Sequence, residues 1–353
     1  VSRPVIAPLL IPHGRCGEGC PWCPAERGAL APAPDAAAVR AAVARARDRR
    51  PGRPVELALY GGDLWSLPRP ERTALLDAAE GEIRGGRAAA LRVAMQPASV
   101  LRAPLRELQA RGVRTVEIPI HSLDARTRRL LGGPHRARQG LDAIGRVRRA
   151  RLRSVAHLTP GLPGSSHHSA LASLDLLLRA QPDALRLLPA LALQGTHLAS
   201  LLAQRRWHPM RVNEAVHTLA VLIKRVRETE VELIRVGLRP EIDLAVPRAV
   251  LGGPDDDLLR LRAETLVLGG VALSALTSIF TLGTRAATLV VHPAEESFLR
   301  GPENRTVRSL QRQFRLERLR ILPLADQPKG SIRAFLGEPT PQDIPKVRSR
   351  RAS

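Results

Sequence analysis

The chain has 353 residues, 44% of them hydrophobic, and a formal net charge of +22. That apolar fraction excludes a wholly disordered chain and suffices for one large domain or two modest ones. Aromatic residues make up only 2%, which excludes a base-stacking platform of several exposed rings; the Arg excess keeps a polyanionic partner such as RNA in view, although Arg spread over helices is usually a solvated face.

Short apolar runs predict strands over Val5–Ile11, Val55–Tyr60, Leu91–Ala94, Thr115–Ile120, Ser154–Leu158 and Ala184–Leu188. Helical periodicity between them predicts helices near Asp35–Arg49, Pro70–Ile83, Ser99–Arg111, Ala125–Leu131, Arg138–Arg151 and Ser169–Arg179. This alternation reads as a parallel α/β sheet, closed or partly closed into a barrel. In that architecture chemistry gathers in the loops that follow the strands. Those loops hold GRCGEGCPWC, GGD, QPAS, HSLD, TPGLPG and PALALQGT.

After residue 212 the pattern changes. A helix at Asn213–Arg227 and strands at Val231–Val236, Thr288–His292, Leu319–Leu324 and Ser331–Leu336 are predicted, with a helix at Asn304–Arg315. They suggest a boundary between residues 1–212 and 213–353, the second part a smaller α+β extension packed on the barrel. Thr265–Thr284 carries no charge and is about long enough to span a bilayer. Its Gly, Thr and Ser content and the lack of flanking aromatics predict a buried strand–turn–helix there and no membrane association. The N-terminal run VSRPVIAPLLIPHGRC, broken by prolines, does not have the layout of a secretory signal.

The only cysteines are Cys16, Cys20 and Cys23. Three thiols so close make no disulfide framework, and a reducing cytoplasm is the expected compartment. Their spacing, Cys-x3-Cys-x2-Cys in a Gly-rich loop directly after the first strand, lets them face one metal centre. Zinc would want a fourth ligand, which His13 can supply as a Cys3His site. A [4Fe–4S] cluster held by three Cys would leave one iron open to another ligand.

With Trp22 just before the third Cys, this loop resembles that of the radical S-adenosylmethionine (SAM) superfamily. Tyr60-Gly61-Gly62-Asp63 resembles its GGE-type motif, and TPGLPG (Thr159–Gly164) the GLPG after strand five. GVRTVEIPIHS (Gly112–Ser122) and LRLLPALALQGTHLASLLAQRRWHPM resemble segments of the Elongator catalytic-subunit family, as ELIRVGLRP and HPAEESFLRGPENRTVRSL resemble its stand-alone bacterial relatives. Several collinear motifs together are specific where each alone is weak.

The resemblance implies a partial (β/α)6 TIM-type barrel and an enzyme in which Cys16, Cys20 and Cys23 hold a [4Fe–4S] cluster. The open iron would chelate SAM, and an electron from a flavodoxin- or ferredoxin-type donor would release a 5′-deoxyadenosyl radical acting on an unidentified RNA or peptide. Gly61, Gly62 and Asp63, with Tyr60 before them, would meet the methionine ammonium. Glu117, His121 and Ser122, with Gln96, would lie at the ribose or methionine end. Gly161, Leu188 and Pro189 would line the adenine, with Trp22 packed near it.

The residues also admit plainer roles. The glycines can make a strand-end turn, Glu117 can be a solvated strand residue, and His13, His121, His135 and His157 can be hydrogen-bonded filler. The relatives' STRPD segment reads Ala94-Met95-Gln96-Pro97-Ala98 here, their Gln before the Ser is His121, and their RGH segment reads Gly133-Pro134-His135. These departures suggest a different substrate or a degenerate SAM-binding member. No acetyl-coenzyme-A pattern is visible after residue 240. A zinc- or cluster-stabilised RNA-binding protein is the reading from another class.

Overall fold

A computed structural model describes residues 4–11, 33–132, 137–238 and 249–339. Seven parallel strands form a curled half-barrel, with order β1-β2-β3-β4-β5-β6-β8. They are β1 (Val5–Ile11), β2 (Val55–Gly61), β3 (Ala90–Ala94), β4 (Val113–His121), β5 (Arg153–Leu158), β6 (Ala184–Leu187) and β8 (Glu232–Val236). Helices α1 (Ala36–Arg49), α2 (Arg69–Arg84), α3 (Arg102–Ala110), α4 (Ala125–Leu130), α5 (Ala137–Arg149) and α6 (His167–Arg179) connect them. All six strands and all six helices expected in this stretch are present, with ends shifted by at most three residues.

The strands form where every second residue is apolar and buried against the helices: Val55, Leu57 and Leu59 on β2, Leu91 and Val93 on β3, Val116 and Ile118 on β4. Helices α1, α4 and α6 start where the sequence supplies an acceptor for their first free N–H groups. Asp35 accepts from Ala38 N at 2.8 Å, and Asp124 from Thr127 N at 2.8 Å. Ser166 and Ser169 form a reciprocal capping box at the start of α6.

The chain divides into two units. The first is Val1–Ala215 with Thr229–Asp257, and the second Val216–Glu228 with Leu258–Ser353. The first also contains α7 (His197–Ala203), the start of α8 (Val212–Arg227) and a small antiparallel pair, β7 (Ala192–Leu193) with β9 (Val250–Gly252).

In the second unit, β10 (Ala286–Val291) lies between β11 (Arg318–Pro323), parallel, and β12 (Arg333–Leu336), antiparallel. The unit includes α9 (Leu259–Ile279), α10 (Glu296–Arg300) and α11 (Arg305–Gln313). Arg227 joins it at α8, bonding Glu264 at 2.6 Å and Glu295 at 2.7 Å.

The strand–turn–helix expected over Thr265–Thr284 is not what forms: α9 runs unbroken through Gly269 and Gly270. Leu268, Ala272 and Leu276, spaced by four, are all buried in the core of this unit. That tertiary burial outweighs the roughly 1 kcal/mol that each glycine costs a helix. Among the described residues no helix is long and apolar enough to cross a membrane.

Candidate active site at the strand ends

Parallel strands bring their C-terminal ends to one edge, and the motifs of interest follow those ends in sheet order. Cys16, Cys20, Cys23, Trp22, His13 and His135 lie outside the described residues. The cysteine segment follows β1, whose last residue, Ile11, accepts the Gly62 N–H at 2.9 Å. The end of β1 therefore lies beside Gly61–Gly62. Gly61 turns the chain out of β2 at φ +88°, a backbone conformation natural to glycine.

Asp63 is buried, and its carboxylate points back into its own loop. One oxygen accepts from Trp65 N at 3.1 Å and the other from Ser99 Oγ at 2.5 Å. Burial raises its pKa against those two hydrogen bonds. Asp63 thus ties the loop after β2 to the loop after β3, where Gln96 is also buried.

His121 ends β4 at φ +63°, next to a register shift between β4 and β5. Histidine tolerates that left-handed region better than most residues, and such bulges re-aim a side chain. The His121 ring bonds Thr159 Oγ1 at 3.1 Å, linking the ends of β4 and β5. Ser122 Oγ accepts from Asp124 N at 3.1 Å.

The GLPG turn after β5 is pinned from outside the sheet. Trp207 Nε1 donates to the Gly161 carbonyl at 3.1 Å, and a Cβ on Gly161 would stand 2.6 Å from Met210 Cε. Leu188 N donates to Leu158 O at 2.9 Å and Ala190 N to Pro160 O at 3.0 Å, so Leu188–Pro189 run alongside that turn. The rim thus gathers Gly61–Asp63, Gln96, His121–Ser122, Gly161 and Leu188–Pro189.

Tyr60 and Glu117 lie further in, within a layer of buried charge. Glu117 is fully buried and accepts from Arg92 Nη1, Arg186 Nη2 and His157 Nε2, each at 2.8 Å. Arg92 Nη2 also donates to Glu56 at 2.7 Å, and Thr115 Oγ1 to the other Glu56 oxygen at 3.0 Å. Arg186 Nη2 reaches the Tyr60 hydroxyl at 2.8 Å, with its guanidinium 4.9 Å from the ring centre.

Two carboxylates thus meet two guanidinium groups, which is how charge survives burial. Burial alone would raise the pKa of Glu117, but Arg186, the His157 hydrogen bond and Arg92 outweigh it and hold it well below the ordinary carboxylate range. Burial depresses His157, against the pull of Glu117. The neutral ring therefore donates its Nε2–H. Burial also pushes the Tyr60 hydroxyl up to about 12, so it stays protonated.

Glu56, Arg92, Arg186, Ser99, Trp207 and Met210 are not among the candidate site residues that the sequence suggests. The available signal was a charged residue inside an apolar strand, repeated on neighbouring strands. Among the described residues, no group of three or more His, Cys, Asp or Glu is placed to hold a metal ion. The three thiols are a soft donor set suited to an iron–sulfur cluster or zinc.

Residues 10–177 match the family model described as the Radical SAM superfamily. This part of the chain belongs to the radical SAM superfamily. Elp3 from the archaeon Methanocaldococcus infernus, with residues 1–46 deleted, aligns with a TM-score of 0.60 at 17% identity, over 76% of this chain and 64% of its own. The match thus spans less than two thirds of the Elp3 chain.

SuiB from Streptococcus suis, bound to its precursor peptide SuiA, aligns with a TM-score of 0.47 at 13% identity, over 69% of this chain and 50% of its own. Coproporphyrinogen III oxidase (HemN) from Escherichia coli aligns with a TM-score of 0.43 at 16% identity, over 76% of this chain and 59% of its own. No curated protein sequence matches the chain. The family match runs from the end of β1 into α6 and so covers most of the half-barrel.

Proposed function

We propose that the chain binds SAM along the strand-end rim and a [4Fe–4S] cluster on Cys16, Cys20 and Cys23, and acts on a substrate distinct from that of its close relatives. The observation that supports this reading is the Ile11–Gly62 hydrogen bond, which sets the end of β1, the strand that precedes the cysteines in sequence, beside the glycine turn. The cluster, when bound and reduced, supplies the electron that cleaves the SAM sulfonium to a 5′-deoxyadenosyl radical.

The chain's own residues bind and orient. The Gly61 and Gly62 carbonyls suit the methionine ammonium, since a cation wants acceptors. Asp63 serves by fixing that turn, because both its oxygens are already engaged within the loops. The Gly161 turn and Leu188–Pro189 offer backbone to the adenine. The buried layer around Glu117 keeps the strands in register beneath the rim. Gln96 and His121, standing where relatives carry other side chains, face a substrate of different chemistry, with RNA or a peptide the classes in view. A flavodoxin- or ferredoxin-type protein is the expected electron donor.

The test is anaerobic purification and reconstitution with iron and sulfide, metal and sulfide assay, then SAM and dithionite with detection of 5′-deoxyadenosine. About four irons per chain and 5′-deoxyadenosine formation support the proposal. Zinc near one per chain and intact SAM overturn it.

A further inference from the structure

Beneath the charged layer, on the inner face of the half-barrel, lies a cavity of about 800 Å³, the size of a small-molecule site. Glu56, Arg92, Thr115 and Arg153 line it from the starts of their strands, so it occupies the end of the barrel opposite the rim. Ile6, Pro8 and Ile234 supply an apolar wall. Five arginines and two glutamates line it, with Glu117 behind the wall.

Hydrogen-bonding capacity points the same way as charge. Both Glu56 oxygens are spent, on Thr115 and Arg92. Arg186 spends Nη2 on Glu117 and Tyr60 and buries Nε, while Nη1 has no partner among the described residues. The Tyr60 hydroxyl accepts from Arg186, and its own hydrogen finds no acceptor among the described residues. Among the described residues Arg153 bonds through Nη2 alone, to Glu232 at 2.6 Å. The wall therefore offers unspent donors and mostly spent acceptors, which suits an acceptor-only ligand.

We infer that this cavity binds a small molecule through a carboxylate or phosphate group, held by Arg186 Nη1, the Tyr60 hydroxyl and Arg153. The site is separate from the rim, and binding requires neither cluster nor SAM, so the inference stands or falls independently of the radical reading.

The test is calorimetric titration of the purified full chain with succinate and with inorganic phosphate, in about 0.15 M chloride to screen diffuse attraction to the basic surface. One-site saturable binding of at least one probe is expected, and the probe bound more tightly identifies the oxyanion. Tyr60→Phe keeps the ring against Arg186 and removes only the donor; it should weaken binding about tenfold, as loss of a hydrogen bond to a charged group does. Arg153→Gln should weaken it similarly. Arg308→Gln, on the exposed face of α11, should leave it unchanged. Absence of saturable binding by either probe overturns the inference. So does affinity unchanged in Arg153→Gln, which decides alone should Tyr60→Phe not fold.

Discussion

Glu117→Gln tests the buried charge layer. The substitution keeps shape and one acceptor but removes the only carboxylate that bonds Arg186 among the described residues, while Arg92 retains Glu56. Leaving a buried ion without its partner costs roughly 3–5 kcal/mol. For a unit of this size, each kcal/mol lowers the melting temperature by roughly 2–4 °C, so the expected drop is roughly 6–20 °C.

Differential scanning calorimetry and guanidinium unfolding read the change. Adding Arg186→Met removes the stranded cation and should return part of the loss, with a coupling of at least about 1 kcal/mol between the two sites. A drop below roughly 2 °C in the single variant, less than about 1 kcal/mol on that scale, or strict additivity in the double, would refute the idea that this layer holds the sheet.

The same layer predicts a pH dependence with a definite sign. The folded-state pKa of Glu117 lies below its ordinary value of 4.5, so its stabilisation is full above that pH and fades as pH falls. His157 lies below its ordinary 6.5, so folding disfavours its protonation and stability also falls as pH drops below 6.5. One proton contributes a slope of at most about 1.4 kcal/mol per pH unit. His157→Gln, which keeps a donor for Glu117, should flatten the upper part of this decline in melting temperature; an unchanged slope would remove His157 from the account.

Gly161→Ala should destabilise by roughly 1–2 kcal/mol, because alanine resists the φ of +83° there and its Cβ meets Met210. Shortening Met210 should relieve the contact but not the backbone cost, as melting curves of the two variants would show. Cys20→Ala should abolish cluster retention, read as iron per chain, while the far-ultraviolet dichroism stays that of the wild type. Asp63→Ala should weaken SAM binding without removing iron, and Ser99→Ala should do so to a lesser degree, because Ser99 acts through Asp63. SAM affinity equal to wild type in both would take this pair of loops out of the site.

Much of the half-barrel was legible because its strands are apolar runs separated by helices of clear periodicity. Val55–Tyr60 and Ala184–Leu188 needed no tertiary information to be seen as strands. The rim was legible because glycines such as Gly61 and Gly161 mark turns that other residues resist. The layer below it was not, since Glu56, Arg92 and Arg186 are charges whose burial depends on partners from 25 to 69 residues away, a property no local window holds. The same limit explains α9. Its two glycines and its Thr and Ser read locally as breakers, and only the core against β10 and α11 shows why the helix continues. Trp207 and Met210 were visible only as a motif; that they brace the GLPG turn is a matter of packing.

The course of the chain through its two units limits how the protein can be cut. The sheet takes its last strand, β8, only after the chain has left the first unit along Val216–Glu228 and come back. A fragment ending at residue 212 would leave β6 as an open edge, with its backbone N–H and C=O groups unpaired and ready to recruit another strand. Such a fragment should aggregate, whereas one carried through Asp257 would keep that edge covered. Proteolytic dissection should therefore release no soluble species ending between β6 and β8.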